Sequence, residues 1–362
     1  MADKEKGNLS IKTQEGVSQP PNINPVMIAK TTGKSRKKYS VNEYVEGILS
    51  GNRTILSQAI TMVESSRSGH YDTAQKIIEK CLPRSGGSVR IGITGAPGAG
   101  KSTFIESFGL HLADSGRKVA VLAIDPSSRN SKGSILGDKT RMHKLGVHPN
   151  AFIRPSPSAG TLGGVARKTR ESIILCEAAG FDTIIVETVG VGQSETSARS
   201  MVDFFLLLML AGAGDEIQGI KRGIIEMADA IAVTKADGQN IISAENARIL
   251  YQNALKLFPP APSGWVPLVF TCSANYNTGI MEIWNMITDY IKLAKNTGYF
   301  DELRKQQAVI CMHDTISDYL NSSFYSHAGV NSFLPELEKE LYNGTVTSYK
   351  AATELLNKYF NK

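Results

Sequence analysis

The chain has 362 residues, 41% of them hydrophobic and 20% charged, with a net charge of +6. That composition is ordinary for a globular protein, allows one large domain or two smaller ones, and permits a sizeable core. Four scattered cysteines, with no CxxC pair or Cys/His cluster, exclude a disulfide scaffold and a zinc centre and fit a reducing cytoplasm; the longest apolar run, Phe204 to Gly214, is too short to span a bilayer.

Residues 1–40 are rich in Asn, Pro, Thr, Lys and Gly without periodicity and are expected to form a disordered arm. The arm has no hydrophobic segment of a signal peptide. Asp3, Glu5, Glu15 and a single arginine before residue 50 argue against a mitochondrial transit peptide. Its basic stretch, Lys30–Lys38, reads as a solvated tail and not as a nucleic-acid surface, because no aromatic residues interleave with the charges. Residues 41–81 carry helical spacing: Val41, Tyr44, Val45, Ile48 and Leu49, then Ile55, Ala59, Ile60 and Val63, then a third helix from about Tyr71 to Cys81. Pro83 and Gly86–Gly87 end this helical segment, 41–85.

From Val89 short β-rich runs alternate with helix-length segments. Strands are expected at Val89–Thr94, Lys118–Asp125, Thr183–Glu187, Asp203–Leu210, Ala230–Thr234 and Pro267–Cys272. Near-continuous apolar strands with such crossovers imply an α/β fold, a mainly parallel sheet covered by helices on both faces. Ligands of such sheets sit beyond the carboxyl ends of the strands. The core is expected over 86–297 and closes with a helix at Ile280–Ala294. A helical arm, 298–362, follows with two amphipathic helices at 301–325 and 333–360.

The first strand runs directly into Gly95, Ala96, Pro97, Gly98, Ala99, Gly100, Lys101 and Ser102, with Thr103 opening the helix beyond. This is the P-loop pattern in its required strand–loop–helix context. Its glycines let backbone N–H groups turn inward as an anion nest, and the helix dipole adds positive potential. Lys101 is placed to reach the β- and γ-phosphates, and Ser102 offers a hydroxyl to Mg²⁺. Three acids follow near this loop: Asp125, Asp138 and Glu187. A phosphate-bound Mg²⁺ takes only one or two carboxylates. Asp125 and Glu187 are therefore expected to hold it directly or through water, with Asp138 on a loop that closes over the γ-phosphate. Gly190 and Gly192 permit the segment Thr188–Gln193 to rearrange when the γ-phosphate leaves. Either Gln193 or Glu187 can orient the attacking water.

The strand at Ala230 leads into Thr234, Lys235, Ala236 and Asp237, which resembles the guanine-reading N-K-x-D motif. The aspartate accepts two donors that adenine lacks, so the wrong base would leave a buried carboxylate unpaired. Thr234 stands in place of the asparagine that usually braces the loop. Ser273, Ala274 and Asn275 resemble the S-A-x loop whose backbone contacts the guanine oxygen. The order and spacing favour GTP/GDP as the ligand over ATP.

On these residues the chain resembles the MeaB/ArgK family of P-loop GTPases. The resemblance runs from about Tyr44 to the C-terminus through GAPGAGKST, VLAIDPSS, GSILGDKTRM, FIRPSPSAGTLGGVARKTRE, EAAGFDTIIVETVGVGQSE and AGAGDEIQGIKRGIIEMADAIAVTKAD. It implies a chaperone of an adenosylcobalamin-dependent acyl-CoA mutase, most often methylmalonyl-CoA mutase, in which GTP hydrolysis gates cofactor loading and removal. It also implies Mg²⁺ and switch acids at Asp125, Asp138 and Glu187, and a third switch loop over Gly212–Arg222 with Lys221 responsive to nucleotide. A homodimer through the C-terminal helices is implied as well. No D-x-H-x-x-G string is present, so cobalamin is expected to be bound by the partner mutase. Three other readings are a nickel-delivery GTPase, which would carry Cys/His clusters, a P-loop kinase or transport ATPase, and a module that keeps GTP as a structural ligand.

Overall fold

The computed structural model describes residues 39–65, 67–124, 142–155, 162–188, 194–211, 222–259 and 261–360. Three helices come first: α1 (Val41–Leu49), α2 (Arg53–Glu64) and α3 (Ser68–Cys81). Asn52 caps α2, its side chain accepting the N–H groups of Thr54 and Ile55 at 3.0 and 3.2 Å. Burying Ile48, Leu56, Ile60 and Ile77 draws the three together and against a later helix, α6.

The sheet has seven parallel strands in the order β3-β2-β4-β1-β5-β6-β7. They are β1 (Val89–Gly95), β2 (Val119–Ile124), β3 (Ala151–Arg154), β4 (Thr183–Thr188), β5 (Phe204–Leu210), β6 (Ala230–Thr234) and β7 (Leu268–Thr271). Between them lie α4 (Lys101–Asp114), a short α5 (His143–Val147), α6 (Leu162–Ala178), α7 (Ser194–Arg199), α8 (Arg222–Met227) and α9 (Ile241–Leu255). The inner strands β2, β4 and β6 are buried on both faces along their whole length, as their unbroken apolar runs require, while the edge strand β7 is partly exposed. Alternate residues of β5 divide between two cores: Leu206 and Leu208 join Phe104, Phe108 and Ile287, whereas Leu207 and Met209 join Ile231, Val233 and Tyr251.

Six strands fall within a residue of their expected bounds at each end. Ala151–Arg154 is a strand that the sequence reading missed. It lies at the sheet edge beside β2, with Val119 opposite Ala151. Beyond β7 come α10 (Ile280–Asn296), α11 (Tyr299–Ser326), α12 (Ala328–Tyr342) and α13 (Ser348–Tyr359). The single helix expected over 333–360 is two helices. Gly344, at φ 70°, ends the first, and Thr347 caps the second by accepting Lys350 N–H at 3.3 Å. No helix among the described residues is long and apolar enough to cross a membrane.

Candidate functional site

The P-loop leaves β1 at the carboxyl edge of the sheet. A Cβ at Gly95 would drive into the carbonyl oxygen of Leu208 on β5, so only glycine lets the chain turn here. Gly98 and Gly100 hold φ of 83° and 80°, the left-handed conformation that glycine adopts at no steric cost, and Gly100 caps α4. The Lys101 ammonium folds back and donates to Gly95 O at 2.7 Å and Ala96 O at 3.2 Å. Burial lowers its pKa, and the nearby carboxylates of Glu187 and Glu195 oppose that shift.

The register of β4 against β1 sets Glu187 opposite Ile93, one strand from the P-loop. Ser102 Oγ donates to Glu187 Oε1 at 3.1 Å, and Glu187 is 7% exposed. Two hard oxygen donors thus meet beside the phosphate cradle. This fits a Mg²⁺ ion, which takes one or two protein oxygens and completes its shell with phosphates and water. Behind them Thr188 donates to Thr94 at 2.8 Å, tying the two strand ends together in the dry interior.

The base-reading loops come from the ends of β6 and β7. One cleft is lined by Ala99, Gly100, Thr103 and Phe104 from the P-loop side, by Lys235, Asp237 and Asn240 from the loop after β6, and by Ala274 and Asn275 from the loop after β7. Ser273 donates its hydroxyl to the Asp237 carboxylate and so fixes the direction in which that group points. Ala236 N–H donates to Cys272 O at 3.0 Å, holding the two loops side by side. Lys235 stands at φ 56°, with its side chain passing over Gly100.

Residues chosen from two distant parts of the sequence therefore meet. Gly100 and Thr103 share a cleft with Lys235, Asp237, Ala274 and Asn275, while Lys101, Ser102 and Glu187 gather at the phosphate end. Asp125, Asp138, Gln193 and Lys221 lie outside the described residues. One participant was not singled out from sequence, and another, Thr234, was noted only as a substitute for the bracing asparagine. Glu195, 1% exposed and close enough to act on Lys101, lies within the quoted string ETVGVGQSE. Thr234 supplies the bracing that the missing asparagine left open. Its single hydroxyl hydrogen lies between Ala99 O, at 2.8 Å, and Met209 O, at 3.1 Å, linking β5, β6 and the P-loop.

The sequence matches the model of the methylmalonyl Co-A mutase-associated GTPase MeaB over residues 56–328. A probable GTPase of Mycobacterium tuberculosis is 46% identical over 317 residues, 88% of this chain and 94% of its own length. The methylmalonic aciduria type A homolog of Mus musculus, named as mitochondrial, is 42% identical over 340 residues, 91% of this chain and 82% of its own. A crystal structure described as a LAO/AO transport system kinase superposes with a TM-score of 0.70 at 35% identity, covering 91% of this chain and all of that one. With the P-loop fold and these relatives, the activity is that of a GTP hydrolase. The chain belongs to the family of methylmalonyl Co-A mutase-associated GTPases, MeaB.

Proposed function

We propose that this GTPase acts with Mg²⁺ to gate adenosylcobalamin loading, protection and reactivation of an acyl-CoA mutase, with methylmalonyl-CoA mutase as the first partner to test. The observation that carries the nucleotide part is the cleft joining Gly100 and Thr103 to Asp237 and Ala274. The family supports the mutase part.

GTP enters with its base between Lys235 and the loop of Ala274 and Asn275. Asp237 accepts the N1–H and the exocyclic amine of guanine, its carboxylate oriented by Ser273. Lys101 exchanges the carbonyls of Gly95 and Ala96 for the β- and γ-phosphate oxygens, so the loop releases a cation already aimed at the site. Ser102, Glu187 and Asp125 would hold Mg²⁺ directly or through water, with Asp138 on the loop that closes over the γ-phosphate. The ion would supply positive charge to the phosphate oxygens. Glu187 or Gln193 orients the attacking water. GTP with Mg²⁺ would order the loops around Asp138 and Gly190–Gln193, and Gly212–Arg222, through Lys221, would relay that state to the mutase. The exposed apolar stripe of α11 joins two copies into a homodimer. The protein works in the cytoplasm, and the mutase alone contacts cobalamin.

A kinase acting on a protein acceptor is the second reading, prompted by the name of the structural neighbour. One experiment addresses both. Purified protein is mixed with an adenosylcobalamin-dependent mutase, and hydrolysis of GTP and ATP is followed with and without the mutase. The expected result is slow GTP hydrolysis that rises in the complex, with Lys221→Ala reducing the rise and ATP competing weakly. Preference for ATP would favour the kinase reading, and GTP turnover indifferent to every such mutase would remove the chaperone role.

A further inference from the structure

A serine or threonine inside a helix ordinarily returns its hydroxyl to the carbonyl one turn back. Ser172 does so on Lys168 O at 2.8 Å, and Thr169 on Val165 O at 2.9 Å. Ser107, in the second turn of α4, does not. Its hydroxyl reaches across 170 positions of sequence and donates to Oδ1 of Asn277 at 2.6 Å. Ser107 is only 9% exposed, so this bond satisfies a hydroxyl at the edge of the core.

Asn277 lies in the loop after β7, and its backbone is left-handed, φ 55°. Any residue with a Cβ is strained there, and asparagine tolerates it better than most. The other non-glycine residue with positive φ among the described residues is Lys235, in the facing base loop. Such strain persists where surrounding contacts over-determine it, and it concentrates at functional sites. Here Ser273 and Thr278 exchange backbone hydrogen bonds of 3.0 and 3.1 Å, closing the loop on itself. Gly279 then turns the chain into α10 at a point where a Cβ would strike Thr271 O. Those contacts fix the loop's shape, and the Ser273–Asp237 bond joins it to the other base loop. None of them reaches α4.

We infer that Asn277 and Ser107 form a clamp that fastens the base-reading loop to the P-loop helix, so that guanine and phosphates are held at a set separation. The inference rests on the cleft being the GTP site proposed above. Both are positioning residues: neither lines the cleft. Ala274 and Asn275 precede Asn277 by three and two residues, so loss of the anchor frees the part of the loop facing the base. Lys101, Ser102 and Glu187 are untouched by it.

Four variants test the clamp. Asn277→Gly keeps the left-handed backbone and removes the side chain. Ser107→Ala removes the donor and favours helix. The double variant measures coupling, and Asn277→Asp restores an acceptor oxygen. Binding of GDP, IDP and inorganic pyrophosphate is measured by calorimetry, with KM and kcat for GTP. Inosine keeps the oxygen read by the loop and lacks only the amine read by Asp237. Each single variant should therefore weaken GDP and IDP equally, by about threefold to tenfold, the loss expected for one hydrogen bond. KM should rise by the same factor, with kcat and pyrophosphate binding unchanged. The double variant should lose no more than either single one, and Asn277→Asp should recover the affinity. Unmoved GDP affinity in both single variants, losses that multiply in the double variant, or no recovery with aspartate would overturn the clamp. A wild-type protein that binds ADP as tightly as GDP would instead sink the base assignment on which the clamp rests.

Discussion

At the scale of single residues, the phosphate half of the site was legible because its work is done by backbone and by two side chains at fixed spacing. Glycines at 95, 98 and 100 announce a turn, and Lys101–Ser102 announce what it holds. Thr234 shows the opposite case. A threonine in place of asparagine looks like a lost brace until its hydroxyl is seen on Ala99 O, 135 positions away. Spacing in the chain carries no trace of that bond, nor of the one from Ser107 to Asn277. Thr234 is 4% exposed, so removing its hydroxyl leaves two carbonyls without that donor in a dry place. Thr234→Val should lower stability by about 1–3 kcal/mol, the cost of stranding a buried polar group. It should also weaken GDP, because the P-loop and the base loop lose a shared anchor. Thr234→Ser keeps the donor and should retain affinity. Thermal melts and GDP titration of the two variants decide it, and equal behaviour of Val and Ser would remove the brace from the argument.

At the scale of elements, long periodic runs were read correctly and short or interrupted ones were not. β3 is four residues, too few to display a period, and it gains its identity from pairing with β2. The division between α12 and α13 turns on Gly344, whose conformation at φ 70° overrides the apolar periodicity on either side. The amino edge of the sheet was equally invisible, because its anchors are ion pairs between distant elements. Glu177, at the end of α6, accepts Arg90 Nε at 2.9 Å, Arg90 Nη2 at 3.0 Å, Ser88 Oγ at 2.6 Å and Gly86 N–H at 2.7 Å. Arg304 of α11 donates to Asp203 Oδ2 at 2.7 Å, and to Gly86 O and Ser88 O at 2.5 and 2.7 Å. The stretch entering β1 is thereby pinned from α6 and α11 together. Burial pushes the Glu177 carboxyl up, but the Arg90 charge and the hydrogen bonds prevail and hold it below its ordinary value of 4.5. A depressed native value means that the folded state binds fewer protons than the unfolded one. The stabilisation is therefore complete above the ordinary value and is lost as pH falls from there through the depressed native value. Glu177→Gln should cost about 3 kcal/mol at pH 7, the scale for breaking a buried pair. The gap between variant and wild type should narrow below pH 4.5 in denaturant melts. A gap independent of pH would mean that the carboxylate charge is not what holds this edge.

At the scale of the whole molecule, the nucleotide site accounts for the carboxyl edge of the sheet and leaves the C-terminal helices without a task of their own. α11 is 28 residues long, about 42 Å at the rise of an α-helix. Near its start it is fastened to the core: Arg304 binds Asp203, and Gln307 Nε2 donates to Val202 O at 2.8 Å. Farther along, Asp314 pairs with Arg170 of α6 at 3.1 Å. The other side carries Val309, Met312, Ile316 and Leu320 at helical spacing, each about half exposed, with Tyr319 beside them at 73%. Single exposed apolar residues need no explanation, but a continuous stripe on a long helix does. Its spacing of three and four suits the seam between two helices, so a second copy of α11 is a fitting occupant. A charge placed in the middle of such a seam should separate the copies without touching the P-loop. Ile316→Glu with Leu320→Glu is therefore expected to convert a dimer to a monomer in sedimentation. Intrinsic GTP hydrolysis should stay within about twofold, because the fastening residues Arg304, Gln307 and Asp314 are kept. A wild-type protein already monomeric at micromolar concentration, or a double variant still dimeric, would assign the stripe to something other than self-association.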